Sequence, residues 1–199
     1  MRPYVSLFIA LVLVGIICGC AAPRPVPMLA FGDNKTWITD KDMEYVIGKT
    51  SAKIVVPKGF VTDFASIPQF FWSFGLSPNG QYSRAAIIHD YLYWAQGCSR
   101  KQADRLLAIA MQESNVCFLV KWIVFYGVDW FGDGAWQSNA KEKAAGMPRV
   151  IPEPYSNLDN NPNVHWPEYR QKLIKEGVKD PVFDSSPPYC KYGDSTTVP

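Results

Sequence analysis

Charge of one sign is scarce in this chain. Its 199 residues carry 20 Lys and Arg against 18 Asp and Glu, a formal net of +2. A basic stripe for nucleic acid and an acidic interaction tail are both left without support. Histidine is scarcer still, with only His89 and His165. The five cysteines include no C-x-x-C pair and none at zinc-ligand spacing from a histidine, so the pattern offers no zinc centre. The apolar run Leu7 to Cys18 has the length of a signal-peptide core and is shorter than a usual bilayer span, the alternative being a plain N-terminal membrane anchor. What is plentiful is core material: 48% of the residues are hydrophobic and 14% aromatic, enough for one globular domain.

Arg2 followed by that apolar run has the layout of a secretory signal segment. Ile17-Cys18-Gly19-Cys20 resembles the bacterial lipobox, with a proline-rich stretch, Ala21 to Pro27, behind it. The resemblance implies that residues 1–19 are a lipoprotein signal peptide, that Cys20 is lipidated, and that 20–30 form a tether. The partner so implied is the membrane and the address is the bacterial envelope. The absence of Asp after Cys20 indicates the outer membrane, facing the periplasm. That compartment is oxidising. Without Cys18 and Cys20, three thiols remain. Cys98 and Cys117 bracket a helical stretch too long for a bond between them, so any disulfide must include Cys190.

The remainder reads as α+β: a small N-terminal antiparallel sheet, a helical hairpin, a third buried helix and an irregular C-terminal extension. Strand-like runs cover Lys35 to Thr39, Met43 to Ile47 and Ala52 to Val56. Ala85, Ile88, Leu92 and Ala95 share one helical face, and Gly97 stands where that helix would stop. Ser99 and Gln102 have capping-box spacing ahead of the stripe Ala103, Leu106, Leu107, Ala110 and Met111. Phe118 to Tyr126 is apolar on nearly every face, as a buried helix would be; the alternative is a surface lying on lipid. Nine of sixteen prolines fall after Met147, so residues 31–146 are read as the globular domain and 147–199 as its extension, with at most a short helix near Glu168 to Glu176.

Polar groups beside these stripes are the candidate site. His89 and Tyr93 lie four apart on one side of the first helix, and a short hairpin loop would set Asp104 opposite His89, where a carboxylate fixes one imidazole tautomer. The plainer alternative pairs Asp104 with Arg100 or Arg105 on a solvated face. Thr62 and Asp63 stand among apolar residues, so Asp63 either caps the turn that follows it or is paired or bound.

Two resemblances meet here. Val56-Pro57-x-Gly59-Phe60-x-Thr62-Asp63-Phe64-Ala65-Ser66-Ile67-Pro68, then His89-Asp90-Tyr91-Leu92-Tyr93, then Ser99-Arg100-x-x-Ala103-Asp104 resemble a bacterial and phage family known only as a domain of unknown function. The His-Asp-x-x-Tyr helix followed by a helix bearing Asp is also similar to the catalytic helix pair of secreted phospholipases A2. That similarity implies His89 as the base activating water, Asp104 as its orienting group, Tyr93 as a donor to Asp104, and Asp90 as a calcium ligand. Asp63 or the Gly75 to Gly80 carbonyls would complete the calcium site. Ile87 and Ile88 replace the cysteines those enzymes carry, and their Gly-rich calcium loop has no counterpart.

Two functions follow from these readings. One is a lipid-anchored hydrolase of phospholipase A2-like type acting on lipid esters. The other is a non-enzymatic envelope or prophage-derived lipoprotein whose hairpin polar residues are structural. No protein partner is legible.

Overall fold

The computed structural model describes residues 26–64, 82–156 and 163–199. The lipobox cysteine, the Phe70 to Phe74 aromatic cluster, the Gly75 to Gly80 loop and the turn after Asp63 lie outside these residues.

The fold is α+β. Strands β1 (Met28–Ala30), β2 (Trp37–Thr39) and β5 (Val61–Thr62) form an antiparallel sheet in the order β1-β2-β5, while β3 (Met43–Val46) and β4 (Lys53–Val56) pair only with each other. One sheet was expected and two form. Both edges of β2 are filled, by β5 with Trp37 and Ile38 opposite Thr62 and Val61 and by β1 on the other side, so the β3–β4 hairpin does not pair with β2. Strand β1 falls in the stretch read as tether. Leu29 there packs against a small cluster of Phe31, Ile38, Val61, Ile151, Trp166 and Leu173.

Helix α1 (Ser83–Ala95) is the centre of the main core and is buried on nearly all sides, Ile87 and Trp94 included. Its end differs from expectation. Gln96, at φ 54°, takes the left-handed residue, and its N–H bonds the Leu92 carbonyl. Gly97 serves a different need: a Cβ there would sit 2.4 Å from the Asp184 carbonyl oxygen. Helix α2 (Arg100–Glu113) begins with the capping box as read, the Ser99 hydroxyl accepting from Gln102 N–H and the Gln102 side chain accepting from Ser99 N–H.

Helix α3 (Phe118–Phe131) forms where expected but is not buried, which corrects the sequence reading. Only Lys121 and Phe125 are sequestered. Phe118, Leu119, Ile123, Tyr126, Trp130 and Phe131 are exposed, the last two at 68% and 80%. An all-round apolar helix needs partners on every side. Among the described residues, α2 and α4 (Asp133–Ala144) are the helices that contact it most extensively.

The C-terminal residues do not hang off the domain. Val150 bridges to Phe60, and α5 (Trp166–Lys175) places Trp166 and Leu173 in the smaller cluster. A 3-10 stretch, Pro188–Asp194, lies so tightly on α2 that a Cβ on Gly193 would come 2.5 Å from the Gln102 carbonyl. Cys98 and Cys190 are disulfide-bonded across 92 residues. Cys190 thus takes part as expected, but Cys117 is disulfide-bonded as well, so the expectation that any bond would include Cys190 does not hold for it. Closing so long a loop restricts the unfolded chain strongly, so Cys190→Ser should cost about 2–4 kcal/mol in urea denaturation. An unchanged midpoint would show that packing alone holds the tail.

Candidate active site

The turn from Gln96 to Ser99 folds α2 back along α1 and brings His89, Tyr93 and Asp104 together. His89 Nε2 lies 2.9 Å from Asp104 Oδ1, and the Tyr93 hydroxyl donates to the same oxygen at 2.6 Å. Arg100, one turn before Asp104, donates from Nη1 to Oδ2 at 2.9 Å. Its guanidinium also donates to the Val128 and Asp129 carbonyls at the end of α3, where unpaired helix carbonyls favour a cation. The plainer alternative is thus partly present, since Asp104 does pair with Arg100, but the carboxylate is wholly buried rather than solvated. Arg105 turns instead to the Gly193 and Asp194 carbonyls.

Tyr93 reaches Asp104 because residue 132 is glycine. A Cβ there would lie 2.3 Å from the Tyr93 hydroxyl oxygen. Burial, and then the Asp104 charge, push the Tyr93 hydroxyl well above its usual range, so it remains a protonated donor at any physiological pH.

Because the ionised carboxylate can only accept, His89 Nε2 carries the proton and Nδ1 carries the lone pair in the neutral ring. Nδ1 is buried and has no hydrogen-bond partner. His89 borders a cleft of about 710 Å³, with Tyr82, Asp90, Val124, Gly127, Arg149 and Arg170 among its lining residues. That size suits a small-molecule ligand. Among the described residues, the two other buried side-chain atoms without partners, the Tyr82 hydroxyl and Arg170 Nη2, belong to residues of this same cleft. Orphaned buried polar atoms are rare in folded proteins, and here they gather at one cavity.

The two carboxylates of the calcium reading border the cleft but are otherwise engaged. Asp90 Oδ2 accepts from the Thr62 hydroxyl, whose oxygen accepts in turn from Phe64 N–H. Asp63 stands 3.5 Å from an Arg149 guanidinium nitrogen. Calcium takes six to eight oxygens, and among the described residues no three His, Cys, Asp or Glu groups converge on one point. The Gly75 to Gly80 carbonyls named for that site lie outside the described residues.

The far wall escaped the sequence reading. Arg149 and Arg170 lie over the indole of Trp94 at 5.5 and 5.4 Å, a cation–π pair around a fully buried ring. Arg149 Nε donates to the Val61 carbonyl and Nη1 to Asn139; Arg170 Nη1 donates to Glu142 at 2.6 Å and Nε to the Pro148 carbonyl. Both arginines come from the proline-rich region, where no periodicity flagged them. Tyr82, just ahead of α1, was equally silent.

Residues 37–128 match a family model described as a protein of unknown function, DUF1353. The stretch holds His89, Asp90, Tyr93, Arg100 and Asp104 and stops short of Gly132, Arg149 and Arg170. No curated protein and no solved structure matches the chain.

The shared hydrogen bond sets a measurable coupling. In a double-mutant cycle, His89→Ala and Asp104→Ala should be non-additive by about 1–3 kcal/mol, since each strands the other's buried polar group. Additive losses would show that the 2.9 Å contact carries no energy.

Proposed function

We propose that this protein is a lipid-anchored envelope hydrolase that cleaves carboxylic esters of amphipathic substrates, with His89 as general base. The observation that carries the proposal is the division of labour on one imidazole: Nε2 is committed to a buried carboxylate, while Nδ1 is left without a partner on a residue that lines a ligand-sized cleft. Water held at Nδ1 gives up a proton as it attacks the ester carbonyl, and Asp104 steadies the imidazolium that forms. Tyr93 and Arg100 keep the carboxylate from rotating away. The developing oxyanion needs a donor, and the Tyr82 hydroxyl is the unmatched one nearest in kind. As the ester breaks, His89 returns its proton to the departing alkoxide. Two features support an amphipathic substrate at a membrane: the exposed aromatic side of α3, and the lipobox-like Cys20. Among the described residues no helix is long and apolar enough to cross a membrane.

One observation favours the competing, structural reading. Arg100 uses the buried Asp104 to hold the final carbonyls of α3, a role that needs no chemistry. The two readings separate on His89→Gln, which keeps a hydrogen-bonding side chain but cannot accept a proton near neutral pH. The hydrolase reading expects a panel of acylglycerol and phospholipid esters to be cleaved by wild type, and about 10²- to 10⁴-fold more slowly by a folded His89→Gln protein. Folded wild type that cleaves none of them would end the hydrolase reading.

The address has its own test. Metabolic labelling with a radioactive fatty acid should mark the wild-type chain and leave Cys20→Ser unmarked and in precursor form. Equal labelling of both chains would remove the lipoprotein assignment.

A further inference from the structure

Helix α3 presents three kinds of surface around its axis. Lys121 and Phe125 are buried against the protein, and Val124 and Val128 line the cleft. Leu119, Ile123, Tyr126 and Trp130 follow spacings of 4, 3 and 4, which at about 100° per residue place them in one stripe. All four are exposed. Ile123 and Phe131 belong both to the exposed apolar surface and to the lining of the cleft, so the two share a rim.

The chemistry of the stripe selects its occupant. A protein interface ordinarily surrounds its apolar anchors with charged and hydrogen-bonding groups. The two charged residues of α3 stay off the stripe: Lys121 is buried and donates to Gln112, and Asp129 falls outside the spacing. What the stripe offers is aliphatic side chains with Tyr and Trp, whose rings suit the boundary between acyl chains and head groups. These rings are already ordered, Trp122 stacking on Tyr126 at 5.7 Å and Tyr126 meeting Trp130 at 5.5 Å. Side chains held in place before contact lose little freedom on binding. Chain length adds a reason of its own. Val26, the first described residue, stands six positions after the lipobox-like Cys20, a reach of at most about 20 Å. A chain acylated at Cys20 keeps its folded part beside a bilayer.

We infer that the exposed stripe of α3 docks on a phospholipid bilayer, with Leu119, Ile123 and Trp130 entering the boundary of the acyl chains. The contact is apolar and needs no anionic lipid. Because Ile123 and Phe131 also border the cleft, docking brings its apolar edge to the level where acyl chains begin, and a lipid ester passes from bilayer to cleft without crossing water. The nearness of the bilayer rests on lipidation of Cys20, and the passage of an ester on the hydrolase reading. Docking of the stripe is measurable apart from both.

The test is tryptophan fluorescence of the full chain on phosphatidylcholine vesicles, with and without lipid brominated on its acyl chains. Subtracting the emission of Trp130→Phe isolates Trp130, which is exposed and not part of the cleft lining. Bromine should quench that signal about twofold or more, and vesicles should shield it from aqueous iodide to a similar degree, at low and high salt alike. Leu119→Asp puts a charge into the stripe in the first turn of α3, where an acidic residue suits the helix dipole. Its melting temperature should equal or exceed that of wild type, while its Trp130 signal, obtained by the same subtraction, escapes bromine and regains access to iodide. The inference is overturned if Trp130 of vesicle-bound chains stays open to iodide and untouched by bromine, as it would if the stripe takes a protein partner. It is equally overturned if quenching disappears at high salt, if Leu119→Asp behaves as wild type, or if the chain does not bind the vesicles. Iodide shielding that grows with protein concentration without lipid would assign the stripe to a second copy of the chain instead. Docking without hydrolysis of any ester would remove the hydrolase reading alone. Hydrolysis with Trp130 still in water would remove this inference alone.

Discussion

A single buried carboxylate ties the helical part of the molecule together. Asp104 is fully sequestered, and ionised carboxylates are rarely left so unless every lone pair is engaged. Its donors come from two elements: His89 and Tyr93 from α1, and Arg100 from its own helix. Arg100 in turn reaches the carbonyls that end α3. Three helices are thus fixed by one charge and its satisfied hydrogen bonds. Removing the carboxylate strands three donors at once, which is why such a group constrains geometry more than it adds net stability.

That constraint also explains the arrangement of the cleft. With Nε2 held to Asp104, the imidazole is fixed where His89 lines the cleft, and Gly132 keeps α3 and α4 from pushing the Tyr93 hydroxyl off the same oxygen. The opposite side rests on a second organiser, Trp94. Arg149 and Arg170 both lie over its ring, and its indole N–H donates to Asp180. Asp180 Oδ1 also accepts from Arg149 N–H and Val150 N–H at 2.7 and 2.8 Å. The C-terminal chain is thereby drawn across the domain and becomes part of the cavity wall.

Local rules were the legible ones. The capping box at Ser99 and Gln102 and the α2 stripe were readable because they depend on residues three or four apart. The α+β class and strands β2, β3 and β4 followed from alternation and punctuation. The approach of His89 to Asp104 was legible as well, since a short turn between two helices leaves little freedom. Long-range choices were not. The apolar sequence of α3 says that it avoids water, but not that the fold leaves one side uncovered and another bordering a cavity. Gly97 and Gly132 resemble stop signals in sequence, yet close approach of Asp184 and of Tyr93 is what requires them. Arg149 and Arg170 acquire meaning only through Trp94, far from them in the chain.

The cavity draws its two sides from different lengths of chain. The imidazole, the carboxylate that orients it and the arginine that anchors both lie within residues 37–128, the part that matches the family model. Arg149, Trp166 and Arg170 lie beyond it. The His89–Asp104–Arg100 network and part of the cleft lining therefore lie inside the matched stretch, and the rest of the lining lies outside it. Exchanging the residues after 128 would replace that part of the cavity wall, with the disulfide to Cys98 and the Asp180 clamp as the two joints that the graft must rebuild.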